Sequence, residues 1–271
     1  MNQLTITKPT PALWRVSINN PPVNLIGSQT IIELRQLIDA AEADTDLAVI
    51  VFESENPDYF FSHWDLTDDL SGLAGQPEPV TGQQPFVDVL VRISKLPVLT
   101  VSVIRGRARG AGSEFLLATD IRFASRERAV LGQFEMTGHV APGGGAAQRL
   151  ARLVGRGRAL EILVGGDDFD GDVAERYGYV NRALPDAELD AFVTEFVTRV
   201  ASFNREALAD IKTWVNDLTL PDDAEFPAQS DAFARRLGEP GFQKWAPMAF
   251  ERGLQQPGDF EERLGKTAVL L

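Results

Sequence analysis

Residues 105–115 read RGRARGAGSEF, which crowds three arginines, three glycines and one glutamate into a chain whose formal charge is −13. An apolar run, Val98 to Ile104, precedes them, and the pattern is that of a strand passing through glycines into a helix. The first N–H groups of a helix have no partner inside it, and the helix dipole favours negative charge there. Such a start can hold an anion, or a carbonyl oxygen on its way to becoming an oxyanion. Gly110 and Gly112 would let the main chain come close to it. Glu114 falls in the first helical turn, within reach of acid–base work beside those donors. The same residues also fit a tight surface turn with a basic flavour and a glutamate that balances the dipole. The stretch by itself leaves both readings open.

Other chemistries fail on spacing. No lysine follows Gly106, Gly110 or Gly112 as a P-loop requires, and Ala111 and Phe115 flank Ser113 where a nucleophile elbow needs glycines. The acidic run GDDFDGDVAER at 166–176 departs from the calcium-loop spacing and reads as a solvated turn with a helix N-cap. His63 and His139 are the only histidines and there is no cysteine, so no metal site is expected, and thiol catalysis is excluded.

The elements that must position this loop follow from periodicity. LTITKPTPALWRVSI predicts an N-terminal β-hairpin, and Ser28 is placed to cap a helix with Ile31, Leu34, Leu37, Ile38 and Ala41 on one face. Leu47 to Phe52 and Val98 to Ile104 are apolar throughout, as parallel strands covered on both sides are. Between them, 71–85 reads as a loop and 86–93 as a helix. A short helix at 113–119, a strand at 121–124, an element near 129–133 and a helix after Pro142 follow. The alternation implies an α/β core with right-handed crossovers. From Asp186 the periodicity is helical to the end, which divides the chain into a core, 1–185, and a helical region, 186–271. Apolar faces recur there, at Phe192, Val193, Phe196, Val197 and Val200 and at Phe233, Phe242, Trp245, Met248, Phe250 and Leu254. Such faces suggest burial against other subunits.

Composition narrows the partners. With 39 acidic against 26 basic residues, neither nucleic acid nor an anionic membrane is an expected partner. No window is apolar enough for a membrane span, and the start lacks a secretory pattern, so a cytoplasmic location is expected.

Taken together, NNPPVNLI (19–26), DYFFSHWDL (58–66), IRGRARGAGSEFLLATDIRFAS (104–125), GQFEMTGHVAPGGGAAQRLARLVGRGRALEILVGG (132–166) and AERYGYVNRALP (174–185) resemble the successive signatures of the enoyl-CoA hydratase/isomerase, or crotonase, family. They stand in family order and spacing to about residue 215. The resemblance implies a spiral of ββα repeats with a C-terminal helical trimerisation region, and a homotrimer or homohexamer. It implies an acyl-CoA thioester as ligand, with coenzyme A entering as part of the substrate and no separate cofactor. The backbone N–H groups of Ala111 and Trp64 match the family's oxyanion donors. Glu114 and Glu135 match its two catalytic acids, and retention of both favours hydration of a 2-enoyl-CoA. The loop residues Ser62, His63, Asp65 and Leu66, with Gly110 and Gly143, match substrate-binding positions. Arg107 and Arg109, with Arg105, form a basic strip suited to coenzyme A phosphates.

The chain also departs from the pattern. His63 and Trp64 stand where the family has small residues in "AGAD", so Trp64 narrows the acyl pocket, and His63 is either a third acid–base group or a space filler. Ala111 replaces a glycine, which requires a negative φ. Phe134 replaces a proline, and one extra residue precedes the glycine run at 143–145. These changes keep open an isomerase, a thioester hydrolase, a C–C bond hydrolase using His63 or His139, or a non-catalytic acyl-CoA-binding protein.

Overall fold

The structure is a computed structural model that describes residues 3–271. It opens on the expected hairpin, β1 (Leu4–Thr10) and β2 (Leu13–Ile18), followed by α1 (Ser28–Ala43) and β3 (Val49–Ser54). Ser28 does not cap α1. It is the first helical residue, and its N–H and hydroxyl both donate to the Asp68 carboxylate, at 2.5 and 2.7 Å, so a carboxylate from a distant loop does the capping.

Next come α2 (Pro85–Lys95), β4 (Leu99–Ile104), the short β5 (Arg107–Arg109), α3 (Ala111–Ala118), β6 (Ile121–Ser125) and β7 (Val130–Gly132). They are followed by α4 (Ala146–Val154), α5 (Arg156–Gly165), β8 (Asp168–Asp170), α6 (Gly171–Tyr177) and β9 (Arg182–Leu184). The strands make two sheets. One has the order β1-β2-β3-β4-β6-β9, antiparallel only between β1 and β2. The other is β5-β7-β8. The first four strands lie in the large sheet, and from β4 onward the chain crosses back and forth between the two; the glycine loop lies where it steps from β4 to β5 and into α3.

The helical tail comprises α7 (Asp186–Ala201), α8 (Arg205–Thr219), α9 (Pro227–Leu237), α10 (Pro240–Glu251), α11 (Asp259–Glu262) and α12 (Leu264–Thr267). The division at 185/186 is not a packing boundary. Leu189, Val193 and Val197 of α7 are buried against Val49, Val51, Val101, Val103 and Phe123 on one face of the large sheet. Phe242, Trp245, Leu254 and Phe260 form a second buried cluster with Phe134 and Val140. Most apolar residues expected to face other subunits therefore cover this chain's own sheet and loops. The apolar stripe left in solvent is on α8, where Ile211, Trp214, Val215 and Leu218 repeat at helical spacing and are 58, 64, 52 and 87% exposed.

Candidate active site

β5 and α3 carry the quoted loop into the molecule. Gly110 precedes α3 with φ +49°, and Ala111 is the first helical residue, with the negative φ its side chain needs. Gly112 lies so close to the Phe61 carbonyl that a Cβ would collide with it, which explains why this turn of α3 carries a glycine. The 62–65 loop runs alongside. Ile26 donates its N–H to the His63 carbonyl at 2.9 Å, and Asp65 donates to the Ile26 carbonyl at 2.8 Å. This bridge turns the Trp64 N–H away from residue 26. Among the described residues, neither the Trp64 N–H nor the Ala111 N–H has a hydrogen-bond acceptor. Both residues border one cavity of about 310 Å³.

Glu114 and Glu135 border the same cavity. Glu114 Oε1 accepts N–H groups from Gly144 and Ala146 at 2.7 and 3.1 Å, at the start of α4. Gly144 is needed there, since a Cβ would meet the Glu114 carboxylate. Burial pushes the Glu114 carboxyl up to about 7, against the pull of those two N–H groups and of the buried Arg149 guanidinium. Glu135 lies far above the usual carboxylate range, through burial first and the neighbouring Glu114 charge second. Oriented to satisfy its neighbours, the Gln133 amide donates to Glu135 and accepts from Ser113 Oγ. Glu114, with two N–H donors and a cation nearby, is the member of the pair that ionises first. Glu135 keeps its proton. Two neighbouring carboxyls held in different protonation states can act as base and acid together.

A family model described as enoyl-CoA hydratase/isomerase matches residues 10–244. The chain belongs to the enoyl-CoA hydratase/isomerase family. A solved structure of a candidate enoyl-CoA hydratase from Streptomyces avermitilis is 40% identical, covers 99% of this chain and 97% of its own, and superposes with a TM-score of 0.93. The short-chain-enoyl-CoA hydratase of Clostridium acetobutylicum is 28% identical over 80% of this chain and 83% of its own length. The crotonyl-CoA hydratase of Syntrophomonas wolfei is 29% identical over 80% and 83%. The two-sheet spiral described above is the fold of this enoyl-CoA hydratase/isomerase family.

Of the positions singled out in the sequence, Trp64, Ala111, Glu114, Glu135, His63, Leu66, Gly110 and Gly143 all border the cavity. Ser62 and Asp65 do not. Ser62 is fully buried and donates to Glu261, while Asp65 Oδ1 accepts from Thr67 and Gln255. The arginines need a larger correction. Arg109 has no exposed surface, grips Asp168 with Nε and Nη2 at 2.6 and 2.8 Å, and donates to the Glu261 and Glu262 carbonyls. Arg107 donates to the Glu262 and Asp58 carbonyls, and Arg105 pairs with Asp186 and Asp190. The strip is a clamp on the chain's own tail, and Arg109, with no exposed surface, cannot meet a phosphate.

The acidic run at 166–176 splits in function. Asp170 caps α6 through the Val173 N–H, as expected of a turn, whereas Asp168 is the Arg109 partner. His139 is exposed and lies outside the cavity, so a reaction built on it is not supported. His63 is neither idle filler nor an open acid–base group: Nδ1 lies 2.9 Å from the Trp64 carbonyl, and Nε2 lies 3.0 Å from Glu261 Oε1. The sequence reading missed Glu261, Arg149 and the cavity wall supplied by Phe233, Leu237, Phe242 and Trp245 of α9 and α10. Glu261 sits in the run GDFEER, which has the look of a solvated face, so no local signal marked it.

Proposed function

We propose that the protein is an enoyl-CoA hydratase that adds water across the double bond of a 2-enoyl-CoA. The observation that carries this reading is the convergence on one cavity of two unpartnered backbone N–H groups and two carboxyls of unequal acidity. The thioester oxygen sits between the Trp64 and Ala111 N–H groups, where charge that develops on it is stabilised more in the enolate than in the ground state. The Glu114 carboxylate takes a proton from the water that attacks C3. The protonated Glu135 delivers its proton to C2, so the elements of water add across the alkene with no net change of charge; Glu114 is left protonated and Glu135 ionised, and proton exchange between them or with solvent resets the pair.

Trp64, packed 5.6 Å from the Phe86 ring, and the aromatic residues of α9 and α10 form an apolar wall for the acyl group. Relatives named as hydratases support the same reaction. No helix among the described residues is long and apolar enough to cross a membrane, and the lack of cysteine suits the reducing cytoplasm in which we place the enzyme. We also propose a homotrimer or homohexamer whose contacts use the exposed α8 stripe.

The test is loss of enoyl-thioester absorbance on adding purified protein to 2-enoyl-CoA. Glu114→Gln and Glu135→Gln should each lower kcat by at least ~10²-fold while KM stays within a few-fold. Wild-type rates in both variants would refute the assignment. A protein that shifts the bond of 3-enoyl-CoA but never hydrates the 2-enoyl isomer would make it an isomerase.

A further inference from the structure

Glu261 is fully buried, 198 residues from His63 in sequence, and both of its oxygens face the His63 ring, at 3.0 and 3.2 Å. The same carboxylate accepts the Ser62 hydroxyl and the Gln255 N–H, each at 2.9 Å. A carboxyl that accepts from three donors is used as a carboxylate. The other ring nitrogen of His63 faces the Trp64 carbonyl, also an acceptor. The ring thus bridges two oxygens, one at each nitrogen, which fixes its orientation. The Trp64 carbonyl takes a second donor, Gln255 Nε2, at 3.3 Å. Glu261 thus holds the ring of one residue that meets this carbonyl and the main chain of the other.

The segment that carries Glu261 is fixed in turn by the arginine clamp. Arg109 donates to the Glu261 and Glu262 carbonyls at 3.0 and 2.9 Å, and Arg107 donates to Glu262 at 2.8 Å. These arginines lie on β5, two and four residues before Ala111. A closed circuit therefore runs from the Ala111 donor through the clamp to Glu261, on to His63, and back to the loop that aims the Trp64 N–H.

We propose that Glu261 is a positioning residue: through the His63 ring it fixes the Trp64 peptide, and the tail segment 259–262 thereby sets the spacing of the two oxyanion donors. The inference rests on the hydratase reading of the site for its kinetic test but not for its spectroscopic one. The Trp64 N–H lies in one rigid peptide plane with the His63 carbonyl, so anchoring the His63 side chain at one end of that plane, and the Trp64 carbonyl just beyond its other end, limits how the plane can tilt. An error of this kind matters most where donor and oxygen must be aligned, in the transition state.

The experiment compares wild type with Glu261→Gln, which keeps the shape but offers one acceptor oxygen in place of two. The readouts are kcat, KM, and the carbonyl stretch of bound butanoyl-CoA labelled with 13C at its carbonyl, by infrared difference. That saturated thioester cannot be hydrated, so the stretch reports the donors alone. Expected are a loss in kcat of about 10- to 100-fold with KM within a few-fold, and a stretch that moves back toward that of free thioester. Gln255→Leu, which removes the second donor to the Trp64 carbonyl together with the bond to Asp65 and leaves Glu261 and His63 in place, should move both readouts the same way by less, and it serves if Glu261→Gln does not fold.

A wild-type stretch in a folded variant would overturn the inference, whatever happens to its stability or rate. If hydration is present in wild type and the stretch is unchanged in the variant, the inference fails alone. If wild type hydrates nothing but shows a shifted stretch that the variant loses, the inference stands and the hydratase reading fails.

Discussion

At the scale of single residues, the site depends on where protons and N–H groups sit. Proline is tolerated at the first position of a helix, because its missing N–H has no partner there in any case. Ala111 occupies that position in α3, and its N–H is the proposed donor. Ala111→Pro should therefore fold with a melting temperature near wild type and lose about 10²- to 10³-fold in kcat, a separation of stability from activity that calorimetry and steady-state rates would measure. A second prediction comes from the raised carboxyls. Folding lifts Glu114 from 4.5 to about 7 and lifts Glu135 well above 4.5, so the folded state holds protons that the unfolded chain gives up. Stability from these groups is fully present below pH 4.5 and is lost as pH rises through about 7 and beyond. Glu135→Gln cannot ionise. Its melting temperature should match wild type below pH 4.5 and exceed it increasingly toward pH 8, and a constant offset across that range would contradict the assignment.

At the scale of elements, the arginine strip shows how a local pattern can mislead. Three basic residues in an acidic chain suggest an anion site, yet β5 places Arg109 against β8 and α11, where Asp168 and two carbonyls take four of its five N–H donors and leave it no exposed surface. Lysine keeps the charge but not the planar fork. Arg109→Lys should cost about 2 kcal/mol of stability by losing charge-assisted bonds, seen as a lower denaturation midpoint. Its affinity for coenzyme A, measured by titration calorimetry, should stay within a few-fold of wild type. A large, salt-sensitive loss of affinity would return the arginine to the phosphate reading.

At the scale of the whole molecule, the helical tail has two jobs. Part of it, α7, closes the sheet face, and α9 to α11 wall the cavity and hold the 62–65 loop. The α8 stripe stays in solvent, beside a groove of about 810 Å³. Light scattering should give three or six protomers, and Trp214→Lys combined with Leu218→Glu should lower the order, because a charge buried at an apolar contact has no partner. A monomeric wild type would end the assembly proposal and leave the glutamate chemistry untouched. Much of this protein is set by sequence alone: the hairpin, the buried strands and the glycine entry to α3 are written in periodicity and backbone preference, which act over a few residues, and the pair Glu114 and Glu135 is legible through the family resemblance of the blocks that carry them. Tertiary structure alone decided that Asp68 rather than Ser28 caps α1, that Arg109 binds Asp168, that the apolar tail faces inward, that the two glutamates differ in acidity, and that Glu261 meets His63. Each of these is a choice of partner or a degree of burial. Burial and pairing depend on which distant segments the folded chain brings together, and residues 198 apart share no local signal by which one could announce the other.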